Sequence, residues 1–452
     1  MNRNVRRALI ALARVRPSRQ IALGYATYML AGWLVLLLPF CHEPGAAAGP
    51  LDHLFTSVSA VSTTGLVTVP TSDTYSVLGE ATVLLLIQLG GIGYMTAGSF
   101  IVLAHRKRLP AFRERIGRVV FTLPEGITVQ SLVKGAIVFS LAIELAGATA
   151  LYFAFRDAGS SRPLWDAAFH AVSSFCTAGF GLYGDSLESY RSHVGINCII
   201  SGLSILGAIG FIVMLDLTRR LLGRSRSTTI TTRIILTTTA IIILGGTALI
   251  FIDEPSIAHL QPHQRLMAAF FQAMSASTTV GFNSVPIADL SRATVVVLLI
   301  LMVIGASPAG TGGGIKTTSL TALLAVVWAT FRGTTDARFL GRSLPLERIR
   351  AAMSNVIVYQ FALLAGVYLL TLTESSSLED LTFEAASAIG TVGLSRGITG
   401  SLSPLGQLTV IALMYVGRVG PVLLGVGLLA REQTEGAPAH SPNPPQPEDV
   451  AI

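Results

Sequence analysis

The sequence predicts an all-α integral membrane protein in which four span–pore helix–span repeats surround one central pore. Two observations carry this expectation. The 452 residues are 51% hydrophobic and only 13% charged, whereas soluble domains carry about 25% charged residues. In addition, eight long apolar runs alternate with four short segments that end in nearly the same signature. The composition indicates that most of the chain faces lipid or other buried surface.

The eight apolar runs pair into four repeats. Each is about as long as the ~20 residues that a spanning helix needs, or longer, and they lie at 20–41, 75–104, 126–155, 193–222, 229–252, 290–331, 350–372 and 404–430. No small-residue cleavage site closes the first run, so it is interpreted as a retained helix. The predicted boundaries are a basic cytoplasmic N-terminus at 1–19, repeats at 20–104, 126–222, 229–331 and 350–430, and a disordered cytoplasmic tail at 431–452.

Between the two runs of each repeat lies a segment too short to cross the membrane. These segments span 50–62, 163–175, 263–277 and 378–389, and each begins near a proline, polar or acidic residue, as helix N-termini often do. We expect re-entrant pore helices whose partially negative carbonyl ends favour a cation. Non-helical backbone after them is tolerated at membrane depth only where it lines a cavity or is buried in protein.

Each predicted pore helix is followed by Thr-x-Gly and then Leu or Phe. The four glycines are 114, 102 and 112 residues apart along the chain. One copy alone is better explained as an ordinary turn. Four copies in register match a potassium filter, in which four loops replace the ion's water shell with rings of backbone carbonyls. The candidate ion-binding residues are Thr63, Thr64, Gly65, Thr177, Ala178, Gly179, Thr279, Val280, Gly281, Thr391, Val392 and Gly393.

The distribution of basic residues predicts the orientation of the chain. If the four signatures face outward, 23 of the 32 Lys and Arg lie on the opposite side, six lie in outward loops and three lie within the runs. The positive-inside rule then places both termini in the cytoplasm. The net charge of +7 is explained by this orientation and by contact with anionic membrane lipids, so no nucleic-acid partner is expected.

The run 290–331 is too long for one straight span and contains a glycine-rich stretch. It is the one run that the sequence shows as clearly interrupted, and we expect a broken helix with a loop in mid-membrane. The stretch looks like a phosphate-binding loop, but Ile315 stands where a glycine should precede the lysine, and no strand comes before it. A kinked helix with small residues for close packing is the alternative.

Arg418 lies near the middle of the last run, too deep to reach either membrane surface. An ionisable side chain there faces a cavity or a partner. Its two interpretations are a structural ion pair, with Glu144 as the candidate partner, and a positive charge in the pore. Three cysteines and eight histidines show no metal-ligand spacing, and no nucleophile–base pair is visible, so neither a cofactor nor catalysis is expected.

Over residues 20–430 the chain resembles the Trk/Ktr/HKT superfamily of potassium transporters, and most closely the KtrB-type membrane subunit. Besides the four signatures, the resemblance rests on the motifs Gln88–Gly93, Ile205–Phe211, Gly305–Thr318 and Gly417–Pro421. The additional helical pair that Trk-type subunits usually carry is not seen, which favours Ktr. Relatives with serine at the first filter glycine tend to pass sodium, so Gly65 implies a preference for potassium.

The resemblance implies that the glycine-rich loop is a gate below the filter and that Arg418 supplies a positive charge there. It also implies a homodimer and a separate cytosolic KtrA/TrkA-type ring of nucleotide-binding regulatory subunits. The candidate gate residues are Gly305, Ala309, Gly310, Thr311, Gly312, Gly313, Gly314 and Lys316.

The predicted function is channel-like potassium uptake across the bacterial inner membrane, with the potassium ion as substrate. Two alternatives stay open. A sodium/potassium secondary transporter with alternating access is disfavoured by four parallel repeats and a single interrupted span. A membrane-embedded enzyme would need paired acids or a His/Ser centre inside the spans.

Overall fold

The computed structural model describes residues 17–93, 129–223, 227–334, 336–339 and 341–429, and these ranges are mostly helical. The predicted tail at 431–452 and most of the predicted N-terminus lie outside the described residues, as does the end of the run 75–104. In chain order the α-helices are α1 (Pro17–Leu36), α2 (Pro50–Ser62), α3 (Thr71–Thr74), α4 (Val77–Ile92), α5 (Val129–Asp157), α6 (Pro163–Phe175), α7 (Val194–Ile209), α8 (Phe211–Leu221), α9 (Ile230–Asp253), α10 (Pro262–Thr278), α11 (Arg292–Val303), α12 (Thr317–Phe331), α13 (Leu346–Thr373), α14 (Leu378–Gly390), α15 (Pro404–Val419) and α16 (Pro421–Leu429). Short 3-10 helices lie at Pro39–Cys41, Glu188–Tyr190, Ile287–Asp289 and Thr399–Ser401, and β1 (Arg338–Phe339) pairs antiparallel with β2 (Arg342–Ser343).

The helices repeat one pattern four times, which confirms the predicted all-α membrane fold. Each repeat has an outer helix, a short pore helix and an inner helix. The outer helices are α1, α5, α9 and α13; the pore helices are α2, α6, α10 and α14; the inner helices are α4, α7 with α8, α11 with α12, and α15 with α16. Each pore helix packs between the outer helix and the inner helix of its own repeat.

The pore helices lie where the sequence predicts them. Their observed ends differ from the expected ones by no more than a residue. Proline occupies the first turn of α2, α6 and α10, where its missing N–H has no helical partner to lose. In α14 the Ser377 hydroxyl instead accepts a hydrogen bond from the Asp380 N–H at 3.1 Å.

The outer helices present large apolar side chains to the surroundings. Three described stretches are long and apolar enough to cross a membrane unaided: Val133–Asp157, Ile230–Asp253 and Leu346–Thr373. On them Leu145 is 71% exposed and Phe361 is 70% exposed. Such a surface is stable only against lipid or another apolar face, so the chain is a membrane protein.

The inner helices correct the expectation that only the sixth run is interrupted. Helices α7 and α8 meet at Gly210 with a bend of 96°. Gly93 ends α4 and Gly420 separates α15 from α16, and all three glycines have φ between 87° and 92°. In the third repeat residues 304–316 separate α11 from α12. All four inner helices therefore break or end at the same level of the fold.

In three of the inner helices the break or end lies at the second glycine of a Gly-x-x-Gly pair, although the surrounding sequence stays apolar. The first glycine of each pair packs against the carbonyl end of a pore helix, where a Cβ atom would come closer than 3.0 Å to a carbonyl oxygen. The contacts join Gly90 to Val61, Gly207 to Phe175 and Gly417 to Ile389. Because these glycines allow close approach, the inner helices can hold the pore helices from behind.

Carboxylates tie outer and inner helices together at one end of two repeats. Glu254, which follows α9, accepts a hydrogen bond from the Ser291 N–H at 3.0 Å. Glu374, which follows α13, accepts hydrogen bonds from Ser403 N at 3.1 Å and from Ser403 Oγ at 2.5 Å. Both serines cap the inner helix that follows them, so each carboxylate fixes where that helix begins.

Candidate ion-conduction site

The four signatures meet in one closed ring. Each signature glycine lies against the backbone carbonyl oxygen of the residue before the glycine of the next repeat. The contacts run from Gly65 to Ala178, from Gly179 to Val280, from Gly281 to Val392 and from Gly393 back to Thr64. A Cβ atom at any of the four glycines would come within 3.0 Å of that oxygen, and the glycine φ angles lie between 65° and 96°. Only glycine satisfies both conditions.

The signature threonines turn the chain from each pore helix into the ring. Thr63, Thr177, Thr279 and Thr391 are fully buried and have φ angles between 49° and 60°. This left-handed conformation is uncommon for residues other than glycine, above all for β-branched ones. Its presence at four equivalent positions shows that the turn belongs to the repeat itself. The structure thus brings together all the residues that the sequence assigns to the filter.

Each pore helix carries two further repeated residues that the sequence prediction missed. A phenylalanine and a serine stand eight and four residues before each signature threonine, and the same spacing in all four copies is the signal that reveals them. The residues are Phe55 and Ser59, Phe169 and Ser173, Phe271 and Ser275, and Phe383 and Ser387. All eight side chains are fully buried. The phenylalanines anchor the pore helices in the core.

The serines hold the ring through their backbone and side chains. Each serine carbonyl oxygen accepts a hydrogen bond from the N–H of the residue after the signature threonine, at 2.8–3.1 Å. Ser59 Oγ also accepts a hydrogen bond from Gly65 N at 3.1 Å, and Ser387 Oγ accepts one from Gly393 N at 3.0 Å. Ser275 Oγ instead donates to the Phe282 carbonyl oxygen at 2.6 Å.

The N–H groups of the residues that follow the signature threonines donate to carbonyl oxygens of the pore helices, so these residues' own carbonyl groups are free to contact a ligand. Within the described residues, no hydrogen-bond donor reaches the carbonyl oxygens of the four threonines or of the residues that follow them. Nearly all buried carbonyls in proteins have a partner. A ring of buried carbonyls without donors is suited to a dehydrated cation.

An inner loop, residues 304–316, lies against all four signature threonines. Three of the contacts are hydrogen bonds: Thr177 Oγ1 to Thr311 Oγ1 at 3.1 Å, Gly313 N to Thr279 Oγ1 at 3.0 Å, and Thr63 Oγ1 to the Thr311 carbonyl oxygen at 3.5 Å. Thr391 touches the loop by close approach of Gly313. The loop therefore covers one side of the ring.

The inner loop is fastened to the break in the second repeat. Phe211 N donates to the Ala309 carbonyl oxygen at 3.0 Å, and Ser307 N donates to the Ala208 carbonyl oxygen at 3.0 Å. Ala309 has a φ of 57°, a strained conformation for alanine. Lys316 folds back onto the loop, since its Nζ donates to the Gly312 carbonyl oxygen at 2.7 Å.

Arg418 joins the inner loop to the first repeat. Its Nη1 donates to Thr63 Oγ1 at 2.9 Å and to the Thr311 carbonyl oxygen at 2.5 Å, and its Nη2 donates to the Gly90 carbonyl oxygen. All three acceptors are neutral. Among the described residues no carboxylate lies within ion-pair distance of Arg418, so its positive charge stays uncompensated next to the ring.

The alternative of an ion pair between Arg418 and Glu144 is wrong. Both carboxylate oxygens of Glu144 accept hydrogen bonds from Gln88 Nε2 at 3.0 Å, and Cys176 Sγ lies 3.7 Å from one of them. Cys176 directly precedes Thr177. Glu144 is thus a hydrogen-bonding residue between the first two repeats.

An all-α membrane protein with four repeats closed around a ring of backbone carbonyls belongs to the class of membrane transport proteins. Residues 32–430 match the family model of TrkH, a cation transport protein. The chain therefore belongs to this family of cation transport proteins, and the resemblance to the Trk/Ktr superfamily is confirmed. Because the family consists of transporters, the membrane-embedded enzyme alternative is wrong.

Individual relatives agree over nearly the whole chain. The potassium/sodium uptake protein NtpJ of Enterococcus hirae is 33% identical over 426 residues, which cover 92% of this chain and 94% of that protein. The Ktr system potassium uptake protein B of Bacillus subtilis is 33% identical over 434 residues, covering 94% and 96%. The crystal structure of the potassium transporter TrkH from Vibrio parahaemolyticus shares the fold, with a TM-score of 0.71 at 21% identity over 91% of this chain and 84% of that one.

Proposed function

We propose that this protein takes up potassium ions through the carbonyl ring formed by its four signatures. The observation that carries the proposal is the closed sequence of glycine-to-carbonyl contacts, 65 to 178, 179 to 280, 281 to 392 and 393 to 64. It gives four loops a common axis at which buried carbonyl oxygens without donors replace the water shell of an ion. The two relatives described above are a potassium/sodium uptake protein and a potassium uptake protein, which supports the same ion.

The inner loop and Arg418 act as the gate in this proposal. The loop lies across the ring at the threonine side, and a fully buried Thr311 fills the space next to Thr63 and Thr177. The guanidinium of Arg418 adds an uncompensated positive charge that repels a cation at the same place. Ions pass when the loop leaves the threonines and Arg418 releases the Thr311 carbonyl oxygen.

The assembly in this proposal is a homodimer in the bacterial inner membrane with a cytosolic nucleotide-binding regulatory ring. Its support is the similarity to a Ktr system protein over 94% of the chain and the excess of basic residues on the side opposite the signatures. Both termini then lie in the cytoplasm. In this proposal the cytosolic regulatory subunits open the gate by pulling on the broken inner helices.

A secondary transporter with alternating access is the second candidate, and one observation favours it more than the sequence suggested. Interrupted helices are typical of such transporters, and here every inner helix breaks or ends beside the ring. The potassium/sodium name of the Enterococcus relative points in the same direction. The closed ring of carbonyls without donors still favours a filter over a side-chain binding site.

Rubidium uptake into liposomes containing the full-length protein separates these candidates. A potassium gradient directed outward sets the membrane voltage, and rubidium uptake is measured with and without sodium on either side. For a filter we expect uptake that follows the voltage alone and is competed by potassium. Uptake that requires sodium, or whose rate saturates at a low turnover number, would instead support alternating access. Growth of cells that lack other potassium uptake systems, at low external potassium, tests the same proposal in vivo.

A further inference from the structure

The segments that leave the carbonyl ring are each tied to a carboxylate. In every repeat a side chain two to four residues after the signature glycine donates a hydrogen bond to an acidic residue. The pairs are Thr68 Oγ1 to Asp52 at 2.7 Å, Tyr183 OH to Asp166 at 2.7 Å, Asn283 Nδ2 to Glu188 at 2.7 Å, and Ser395 Oγ to Glu384 at 2.8 Å. Asp52, Asp166 and Glu384 belong to the pore helices themselves, so in three repeats the pore helix holds both the ring and the segment that leaves it.

Three of the repeats place an aspartate eleven residues before the signature threonine, namely Asp52, Asp166 and Asp380. The third repeat has Ala268 there, and Glu188 from the loop of the preceding repeat supplies the missing carboxylate to Asn283. Burial raises the pKa of Glu188, which the hydrogen bond from Asn283 opposes. A carboxylate recruited from a different element indicates that each segment needs one.

The fourth repeat has a second carboxylate one turn further along its pore helix. Glu384 is fully buried and accepts hydrogen bonds from Ser395 Oγ at 2.8 Å and from Thr399 Oγ1 at 2.5 Å. Within the described residues no cation lies within ion-pair distance of it. The equivalent residues of the other repeats are buried too, but none is a carboxylate: Thr56, His170 and Gln272.

The two hydroxyl groups hold the carboxylate and the exit segment in one arrangement. Each hydroxyl has a single hydrogen, and both hydroxyls donate it to a carboxyl oxygen of Glu384. Ser395 Oγ then remains free to accept a hydrogen bond from Gly397 N at 3.1 Å. Ser395 stands only two residues after Gly393, whose closest neighbour across the ring is the Thr64 carbonyl oxygen. The position of Ser395 therefore fixes the place where the fourth repeat closes on the first.

We propose that Glu384 is a specificity-determining positioning residue, which acts through Ser395 to set the spacing between Gly393 and the Thr64 carbonyl oxygen. This inference rests on the proposed function, since it assigns Glu384 a role in the selectivity of that filter. In Glu384→Gln one carboxyl oxygen is replaced by an NH₂ group with two hydrogens. One of the two hydroxyls, which donate to Glu384 in the wild-type protein, then faces a donor instead of an acceptor. The segment from Gly393 to Thr399 must then rearrange. The distance between Gly393 and the Thr64 carbonyl oxygen changes, and the ring no longer fits a potassium ion.

The test uses full-length protein in liposomes with the variants Glu384→Gln, Ser395→Ala and the two combined. The ratio of potassium to sodium competition against rubidium uptake is measured for each, together with thermal stability. We expect Glu384→Gln and Ser395→Ala each to lower the ratio by about fivefold, as expected for loss of one buried hydrogen bond. The double variant should show no further loss, because both changes break the same link. Glu384→Asp keeps the carboxyl group and should restore part of the ratio.

Two controls keep the test decisive. Glu374→Gln removes a carboxylate that accepts two hydrogen bonds from Ser403, the N-cap of α15, and it should lower thermal stability without changing the ratio. Gly393→Ser alters the ring itself and should lower the ratio. The role of Glu384 is rejected, and the filter stands, if Gly393→Ser lowers the ratio while Glu384→Gln lowers only the stability. It is also rejected if the losses of ratio caused by Glu384→Gln and Ser395→Ala add in the double variant. If neither Gly393→Ser nor Glu384→Gln changes the ratio, the proposed filter fails as well.

Discussion

Arg418 and Thr311 are joined by a hydrogen bond of 2.5 Å from the guanidinium Nη1 to the backbone carbonyl oxygen, although the two residues are 107 positions apart. Thr311 belongs to the third repeat and Arg418 to the fourth. The same guanidinium also reaches Thr63 of the first repeat at 2.9 Å. One charged side chain thus fastens the inner loop to the ring. In the proposed function its charge opposes the entry of a cation.

Arg418→Ala should increase rubidium uptake several-fold in the absence of any partner protein. The substitution removes both the positive charge and the bond that keeps Thr311 against Thr63. The loss of stability should stay within ~1–3 kcal/mol, because the acceptors left behind are neutral. Uptake into liposomes and thermal unfolding are measured on the same preparation. Arg418→Lys keeps the charge and should stay closer to wild type; a fall in uptake for both variants would contradict a closing role.

Removal of residues 309–313 should raise uptake further and make it insensitive to a regulatory partner. The deleted segment contains Thr311 and Gly313, which make the loop contacts with the four threonines. Without them nothing in the described part of the loop covers the threonine side of the ring. The point variant Thr311→Ala removes the side-chain bonds to Thr177 Oγ1 and to the Phe175 carbonyl oxygen but keeps the backbone contacts, and it should have an intermediate effect. Unchanged uptake by a folded deletion variant would mean that the loop is structural.

The sequence reveals the pore helices well because their determinants are local. Short amphipathic segments with proline or an acid at the start, repeated between long apolar runs, predict them to within a residue. The inner helices show the opposite case. Helices end at Gly93, Gly210 and Gly420 inside predominantly apolar runs, so hydropathy gives no sign of helix ends that depend on a positive φ. The Gly-x-x-Gly spacing shared by the three runs is the signal that was available.

The partners of the buried charges are harder to predict from sequence. Arg418 and Glu144 look like a matched pair because both lie in the middle of apolar runs. The fold instead gives Arg418 backbone and hydroxyl acceptors and gives Glu144 the amide of Gln88. Which neutral groups face a buried charge depends on how four repeats close into a ring, and no local pattern encodes that closure.

Gly65→Ser should lower the preference for potassium over sodium by about tenfold, which corresponds to ~1.4 kcal/mol of discrimination. A Cβ atom at this position would lie 2.5 Å from the Ala178 carbonyl oxygen, and the φ of 94° is unfavourable for serine. Gly45 provides the matched control, since its φ is 88° and nothing lies within 4 Å of an added Cβ atom. Gly45→Ser should carry the same backbone strain of ~1–2 kcal/mol without changing selectivity. Equal selectivity in the two variants would show that the first signature is not part of the filter.

The four serines behind the ring should respond differently to alanine, although they occupy equivalent positions. Ser59 and Ser387 hold the N–H groups of Gly65 and Gly393, so replacing either by alanine should cost ~1 kcal/mol of stability and lower selectivity. The Ser173 hydroxyl is buried and has no partner among the described residues, so Ser173→Ala serves as the control and should be neutral or slightly stabilising. Thermal unfolding and rubidium uptake competed by sodium are measured for each variant. Selectivity that falls equally in all of them would mean that the serines fill space behind the ring and that their hydrogen bonds do not set its geometry.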